Sequence, residues 1–263
     1  MTGAEAGSGP PLLLVHGLGG TWQYWRRTME LLAGEARCIA LDVPGFGRSD
    51  SPPRGFTLDA AADGLAAALG ALGAAPAVVC GHSLGGPLAA RLALRHPGAV
   101  SRLVLVAPSG LAPAPAWQRR ALRAVPAFTL LRRAPFAWER WLARIPPVRN
   151  AILGLFVDRP ASVDPETARQ LFAGARDARE VPAALDASFS TGLDDDAPLV
   201  AAPIAAIWGA RDRMTPPRES EVLRRVVPSA EIHFLPACGH LPMLDRPEAF
   251  AVLLRRLAVE RSG

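Results

Sequence analysis

Six short apolar segments, separated by stretches with helical periodicity, restrict the fold of this chain more than any other feature. Each is four or five residues long and has Gly, Asp or Pro within two residues of its end, a pattern typical of strands. They are Leu12–Val15, Cys38–Leu41, Ala77–Cys80, Leu103–Val106, Ile204–Trp208 and Glu231–Leu235. Strands this apolar are buried on both faces, as in a parallel sheet that helices cover. The sequence therefore predicts an α/β fold with a mostly parallel sheet flanked by helices.

Helix signals occupy the segments between these strands. Leu58–Leu72 has the periodicity of a helix, with Thr57 as its N-cap. Leu84–Arg95 is a second helix, which ends where a His-Pro pair interrupts it. The last helix is predicted to start at Arg246, with Asp245 as its N-cap.

The alternation of strands and helices breaks between Leu111 and Leu199. This segment has no clear strand, and prolines divide it into short helical pieces. A set of apolar residues with the spacing of one helix face comprises Trp138, Trp141, Leu142 and Ile145. We predict a helical cap over residues 111–199, inserted into a core of residues 1–110 and 200–263, with this apolar face buried.

The composition excludes several classes of function. All 29 basic residues are Arg, which excludes both a Schiff-base lysine and a P-loop lysine. The net charge is +5, but no nucleic-acid-binding motif accompanies it, so no nucleic acid partner is predicted. Three scattered cysteines argue against a disulfide scaffold and a zinc cluster, and we expect no metal site.

The sequence also predicts a compartment. No apolar run reaches the roughly 18–20 residues that span a bilayer. Met1 to Pro10 lacks the basic residues of a secretory leader. We expect a cytoplasmic protein. For the cap we expect a solvated surface over an apolar underside, with a lipid-facing cap as the alternative.

The segment Gly81-His82-Ser83-Leu84-Gly85 has the pattern G-x-S-x-G. It directly follows an apolar strand and opens a helix, which is the context of a nucleophile elbow. In such a turn Ser83 projects from the sheet edge at the start of a helix, and the preceding His82 points away from the site. The pattern predicts Ser83 as a nucleophile.

A second glycine-rich turn, His16-Gly17-Leu18-Gly19-Gly20, follows the first apolar segment. Acyl transfer builds negative charge on a carbonyl oxygen, and two converging N–H groups stabilise it. The N–H groups of Leu18 and Leu84 are the candidates for this oxyanion hole. The turn lacks the GxGxxG and GK[ST] patterns that phosphate binding requires.

A serine nucleophile needs a base, and the base needs an orienting acid. His240 lies in the loop after the last strand, and Asp212 lies in the loop after the strand before it. Loops at this end of the strands carry the sites of α/β sheets. The chain order Ser83, Asp212, His240 is also the order expected for this fold. The rival acids are three consecutive aspartates, Asp194, Asp195 and Asp196.

Together these motifs resemble the α/β-hydrolase superfamily, in particular its serine esterases and lipases with a helical cap. The matching segments are His16–Gly20, Asp42–Ser49, Gly81–Gly86, Trp208–Asp212 and Gly239-His240. The resemblance implies a Ser83–Asp212–His240 triad, an oxyanion hole at Leu18 and Leu84, and no cofactor. It also implies a structural role for the Asp42–Ser49 turn.

Two features depart from the family pattern. The family usually has two strands before the one at Leu12, and only eleven residues precede it here. We therefore expect either that both strands are missing or that the true start lies upstream. Without them Cys38–Leu41 would be an unpaired edge, which favours a homodimer. The family's carbon–carbon hydrolases often carry Trp after the catalytic histidine, where this chain has Leu241.

Three functional hypotheses remain. The leading one is a serine hydrolase that cleaves a carboxylic ester or thioester with an apolar acyl group, from a small-molecule substrate. A carbon–carbon bond hydrolase or a perhydrolase would use the same triad, and a non-catalytic binding protein would use only the scaffold. The apolar cap face either packs against the core or roofs an acyl pocket.

Overall fold

Seven strands hydrogen-bond into one sheet in the computed structural model, which describes residues 1–111, 138–190 and 192–259. The strands are β1 (Gly3–Ala6), β2 (Pro11–Val15), β3 (Arg37–Leu41), β4 (Ala77–His82), β5 (Val100–Val106), β6 (Ile204–Gly209) and β7 (Glu231–Leu235). Their spatial order is β1-β3-β2-β4-β5-β6-β7, and every neighbouring pair is parallel except β1 with β3. The predicted α/β class and the six predicted strands are confirmed.

Strand β1 is the one that the sequence did not predict. It pairs antiparallel with β3, with Gly3 opposite Leu41 and Ala6 opposite Cys38. The expectation that both strands before Leu12 are missing is therefore wrong for one of them. Strand β3 is paired on both sides, so the unpaired edge that favoured a homodimer does not exist. The strand escaped prediction because its Gly-Ala-Glu-Ala sequence lacks an apolar run.

The described helices are α1 (Arg26–Leu32), α2 (Leu58–Ala71), α3 (Gly85–Arg95), α4 (Trp138–Arg144), α5 (Pro146–Leu153), α6 (Pro165–Asp177), α7 (Val181–Ser190), α8 (Leu193–Asp196), α9 (Ser220–Val226), α10 (Pro242–Asp245) and α11 (Pro247–Ala258). None of these helices combines the length with the hydropathy that a bilayer crossing requires. The Thr57 hydroxyl caps α2 as predicted, by accepting the Ala60 N–H at 3.0 Å. The prediction that Asp245 caps the last helix is wrong, since Arg246 occupies that N-cap without a side-chain hydrogen bond.

Helices cover both faces of the sheet, and each central strand contributes to both cores. In β2, Leu13 and Val15 pack with α2 and α3 on one face, whereas Leu12 and Leu14 pack with α1 and α11 on the other. Successive side chains of a strand point to opposite faces, so a strand buried on both sides must be apolar throughout. This explains why the strands were recognisable as short continuous apolar runs.

Between β5 and β6 all the described secondary structure is helical. Helix α6 lies against the glycine-rich turn, because a Cβ on Gly174 would come within 2.8 Å of the Gly19 carbonyl oxygen. The glycine therefore allows a close approach of the two backbones. Residues 112–137, which the cap prediction also covers, lie outside the described residues.

The prediction that one helix face buries Trp138, Trp141, Leu142 and Ile145 is wrong in part. Trp138 is buried, but Trp141 is 63% exposed. Helix α4 ends at Arg144, so Ile145 does not continue its face. The buried positions include Glu139, whose carboxylate meets the Arg176 guanidinium at 2.6 Å. The buried side of α4 therefore includes a charged residue that the apolar spacing did not predict.

Candidate active site

Ser83 stands on a sharp turn between β4 and α3. Its φ is +52°, in the left-handed region that residues with a side chain rarely adopt. The Ser83 N–H donates to the Val106 carbonyl at 2.9 Å, which ties the turn to the neighbouring strand. A Cβ on Gly81 would overlap the Gly85 carbonyl, so only glycine fits there. The turn has the geometry of a nucleophile elbow.

Asp212 and His240 form a buried hydrogen-bonded pair. The His240 Nδ1–H donates to Asp212 Oδ2 at 2.9 Å. The other carboxylate oxygen accepts the N–H groups of Met214 at 2.7 Å and Thr215 at 3.1 Å. Because Nδ1 carries the proton toward the carboxylate, Nε2 of the neutral imidazole is left as a proton acceptor.

Thr215 contacts both members of this pair, and the sequence did not predict it. Its buried hydroxyl lies 2.9 Å from Asp212 Oδ2, 3.1 Å from the Ala107 carbonyl and 3.3 Å from His240 Nδ1. The hydroxyl thus joins the acid to the loop after β5. The only sequence signal for Thr215 is its position three residues after Asp212, from which a threonine hydroxyl can hydrogen-bond to the aspartate carboxylate.

The loop that carries His240 is held by residues 156–159, a segment distant from it in the sequence. The His240 N–H donates to the Phe156 carbonyl at 2.6 Å. Asp245 accepts the Gly239 N–H at 2.7 Å and the N–H groups of Asp158 and Arg159 at 3.0 Å each. Three N–H groups therefore occupy the carboxylate that was expected to cap a helix.

His16 fixes the glycine-rich turn. Its Nε2 accepts the Val43 N–H at 2.9 Å, so Nδ1 carries the proton and donates to the Gly17 carbonyl at 2.8 Å. The Gly20 N–H donates to the same carbonyl at 3.0 Å. The Leu18 N–H belongs to the same planar peptide and points the opposite way, so these donors also fix its direction.

The structure brings these loops together. A Cβ on Gly17 would lie 2.9 Å from the Ser83 Cβ, and the His82 and His240 rings have centroids 4.7 Å apart. Within the described residues, neither the Leu18 N–H nor the Leu84 N–H donates a hydrogen bond to another protein group. Two unused donors therefore lie near the nucleophile elbow, on the turns where they were expected.

The rival acids lie elsewhere. Asp194, Asp195 and Asp196 form the short helix α8 with Leu193. Asp196 pairs with Arg91, at 2.9 Å between the carboxylate and the guanidinium. The carboxylate hydrogen-bonded to His240 is that of Asp212.

The Asp42–Ser49 turn, for which the resemblance implies a structural role, is held by hydrogen bonds between side chains and main chain. The Asp42 carboxylate accepts the Trp22 N–H at 2.8 Å and the Arg48 N–H at 3.0 Å. The Ser49 hydroxyl donates to the Asp42 carbonyl at 2.7 Å. The turn closes around one buried aspartate and carries the Val43 N–H that orients His16.

The loops after β2, β4, β6 and β7 all lie at the carboxyl ends of parallel strands, and together they carry a candidate serine, histidine and aspartate. Residues 10–247 match the model of the α/β-hydrolase fold family, and the chain belongs to that family. The protein is an enzyme of the hydrolase class.

Named relatives of the chain include esterases and a hydrolase of another type. A pimeloyl-[acyl-carrier protein] methyl ester esterase of Aromatoleum aromaticum is 33% identical, over 93% of this chain and 96% of that protein. A 2-hydroxymuconate semialdehyde hydrolase of a Pseudomonas species is 31% identical, over 95% of this chain and 87% of that one. The solved structure of a thermophilic esterase from Thermogutta terrifontis superposes with a TM-score of 0.78, at 26% identity, over 97% and 92% of the two chains.

Glu219 is a further carboxyl group near the pair. Burial, and then the negative charge of Asp212, raise its pKa to about 7, against an opposing effect of Arg218. Folding therefore keeps a proton on Glu219 that the unfolded chain releases near pH 4.5. Stability falls as the pH rises from about 4.5 to 7, and the loss is complete above that range.

We predict that Glu219→Gln removes this loss, because the amide stays neutral at every pH. Urea unfolding at pH 4, 6 and 8 should show a stability advantage of the variant over the parent that grows with pH. The matched control is Glu221→Gln, which changes an exposed carboxylate two residues away. A pH-independent difference between Glu219→Gln and the parent would contradict the raised pKa.

Proposed function

We propose that this protein is a serine hydrolase that cleaves a carboxylic ester or thioester with an apolar acyl group, through an acyl-enzyme on Ser83. The observation that carries the proposal is the Asp212–His240 hydrogen bond of 2.9 Å beside the elbow of Ser83. It sets the tautomer in which His240 Nε2 accepts a proton. A serine, a base and an orienting acid then have separate roles.

The proposed reaction uses only these groups, the substrate and water. His240 Nε2 takes the Ser83 hydroxyl proton while the serine oxygen bonds to the acyl carbon. The tetrahedral intermediate collapses, and the alcohol or thiol leaves with the proton from His240. Water then attacks the acyl-enzyme, with His240 as the base, and the carboxylic acid leaves Ser83.

The N–H groups of Leu18 and Leu84 are proposed to stabilise the oxyanion. Donors that are fixed before the reaction lower its barrier because they need no reorganisation when charge develops. The Gly17 carbonyl, held by two donors, fixes the direction of the Leu18 N–H. The start of α3 adds the partial positive charge of a helix N-terminus beside Leu84.

The preference for an apolar acyl group rests on the underside of the cap. Trp138, Leu153 and Phe172 from this segment belong to the same apolar cluster as Trp25 of the core. The acyl chain would therefore meet an apolar surface wherever it passes between cap and sheet. The esterase names among the relatives favour ester cleavage over the alternatives. One of these names specifies a methyl ester on an acyl-carrier protein, so such an ester is among the substrates to test.

We predict that Ser83→Ala abolishes ester hydrolysis without loss of the fold, because the acyl-enzyme cannot form. Loss of a triad member costs about 10⁴- to 10⁶-fold in rate. The assay is a panel of p-nitrophenyl esters of increasing chain length, with an acyl thioester, an acyl-carrier-protein methyl ester and a ring-cleavage dienoate beside them. A fluorophosphonate should label Ser83 in the parent protein.

The same panel separates the hypotheses. Retention of a tenth of the parent's esterase activity in Ser83→Ala would refute the nucleophile. Turnover of the dienoate alone would support carbon–carbon hydrolysis. Absence of both labelling and turnover would support a binding protein on this scaffold.

We predict that Asp212→Asn lowers kcat by about 10⁴-fold with little change in KM, as the equivalent change does in a serine-protease triad. The amide would donate to Nδ1 and stabilise the wrong tautomer of His240. The matched control is Asp194→Asn, which removes the charge of a rival acid. Greater loss of activity in the control than in Asp212→Asn would show that the acid is misassigned.

We predict that Trp138→Ala shifts the ranking of ester chain lengths, because removing a buried indole from the cap underside enlarges the space for an acyl chain. One methylene contact is worth about 1 kcal/mol, or several-fold in selectivity. Trp141→Ala is the matched control, since this indole is 63% exposed. Lower stability of Trp138→Ala with an unchanged ranking would mean that Trp138 only packs.

A further inference from the structure

Tyr24 and His82 are buried beside the site, and the proposed reaction gives neither of them a role. We propose that they are positioning residues, which hold the oxyanion turn and the loop of the catalytic base at a fixed separation. The proposal rests on the proposed function, because it assigns their effect to the Leu18 N–H and to His240. It concerns two residues that do not touch the reacting atoms.

A continuous chain of hydrogen bonds carries the proposal. The Gly17 N–H donates to the Tyr24 hydroxyl oxygen. The Tyr24 hydroxyl donates to His82 Nδ1 at 3.1 Å. The His82 Nε2–H donates to the carbonyl of His240 at 2.9 Å. Three bonds thus connect the main chain of the oxyanion turn to the main chain of the base.

The groups at the two ends of this chain of hydrogen bonds determine which partner donates the proton in each bond. A carbonyl only accepts, so His82 Nε2 must carry a proton toward His240. A neutral imidazole then has a bare Nδ1, which accepts the Tyr24 hydroxyl proton. The hydroxyl oxygen is left to accept the Gly17 N–H. One tautomer of one neutral histidine satisfies every group.

Burial keeps both side chains in the required protonation state. The His82 ring is buried, and burial together with the neighbouring His240 lowers its pKa well below the usual value. Burial also raises the pKa of Tyr24, so its hydroxyl keeps the proton that it donates. Their rings pack edge to face, with centroids 5.7 Å apart, which restricts rotation about the hydrogen bond.

The strand–turn geometry explains why this histidine faces away from the substrate. His82 is the last residue of β4, and Ser83 follows on the turn with a positive φ. His82 still belongs to the strand, and its side chain is buried against the sheet, whereas Ser83 stands on the turn that follows. The His82 imidazole reaches the loop after β7 from beneath, next to the ring of His240.

The two ends of this chain of hydrogen bonds are the oxyanion turn and the loop of His240, where small displacements would change the rate of the proposed reaction. Gly17 precedes Leu18, so the Tyr24 hydroxyl and the two donors on the Gly17 carbonyl hold successive peptides of one turn. At the other end, His82 and Phe156 hold the carbonyl and the N–H of His240. A misplacement of about 1 Å in such groups costs up to about 100-fold in rate.

The test compares Tyr24→Phe, His82→Leu and His82→Gln in the full-length protein, with p-nitrophenyl esters. Tyr24→Phe removes the first two bonds, and His82→Leu removes the last two. His82→Gln keeps an N–H donor that can reach the His240 carbonyl. We expect kcat to fall about 10- to 100-fold in Tyr24→Phe and His82→Leu with KM within about twofold, and to recover in His82→Gln.

Two further measurements distinguish positioning from loss of stability. Met29→Ala removes a buried side chain from α1, in the same apolar cluster as Tyr24, without touching the chain of hydrogen bonds. It should lower the unfolding temperature at least as much as Tyr24→Phe does, because it leaves a cavity, and it should keep kcat. The double variant Tyr24→Phe/His82→Leu should lose little more kcat than either single variant, because both interrupt one chain.

The proposal is overturned if kcat stays within about twofold of the parent in both single variants, or if it falls only in step with the folded fraction. A rise in KM at constant kcat would overturn it too, since it would place the two residues in substrate binding. Failure of the proposed function looks different. In that case the parent protein itself hydrolyses no ester and no fluorophosphonate labels Ser83.

Discussion

Close approach of main chains is the constraint on which the site depends. The turn before the nucleophile, the glycine-rich turn and the start of α3 pack backbone against backbone. A Cβ on Gly81 would overlap the Gly85 carbonyl, and one on Gly85 would lie 2.5 Å from the Val15 carbonyl oxygen. Glycine at these positions lets the three segments approach more closely than any side chain would allow. The turns that carry the candidate nucleophile and the candidate oxyanion donors are close because their backbones can approach.

Such packing buries many peptide groups, and each of them needs a partner. Two histidine rings, those of His16 and His82, supply such partners in different tautomers. His16 carries its proton on Nδ1 and His82 on Nε2, each because a carbonyl faces that atom. His240 carries its proton on Nδ1 because Asp212 faces it. A neutral imidazole suits such buried positions because one ring nitrogen donates a hydrogen bond and the other accepts one, on opposite sides of a rigid ring.

Much of this arrangement could be predicted from the sequence, since its signals are local. A strand buried on both faces is a continuous apolar run, and the elbow is a five-residue pattern between a strand and a helix. The pairing of Asp212 with His240 followed from loop position, because parallel strands end at one edge of the sheet.

The remainder depends on contacts between distant segments, which a single sequence does not display. Strand β1 has no apolar run and forms because β3 offers it a free edge. In α4, Glu139 is buried in an ion pair with Arg176 of α6, whereas Trp141 is exposed. Asp245 was assigned to the nearest helix, although its carboxylate binds N–H groups 86 and 87 residues away. The bonds of Tyr24 and Thr215 likewise join segments far apart in the chain.

The hydrogen bond from the His240 N–H to the Phe156 carbonyl limits how the helical region between β5 and β6 can be exchanged among relatives. Phe156 lies in the segment that returns from α5, and Asp245 binds the next residues of that segment. The part of the chain expected to recognise substrate therefore also supports the loop of His240, the proposed base. A chimera that exchanges this helical region for that of a relative should keep residues 156–159 with the core. Moving the junction to Leu199 would also replace the support of the His240 main chain, and under the proposed function any gain in substrate range would come with a slower chemical step.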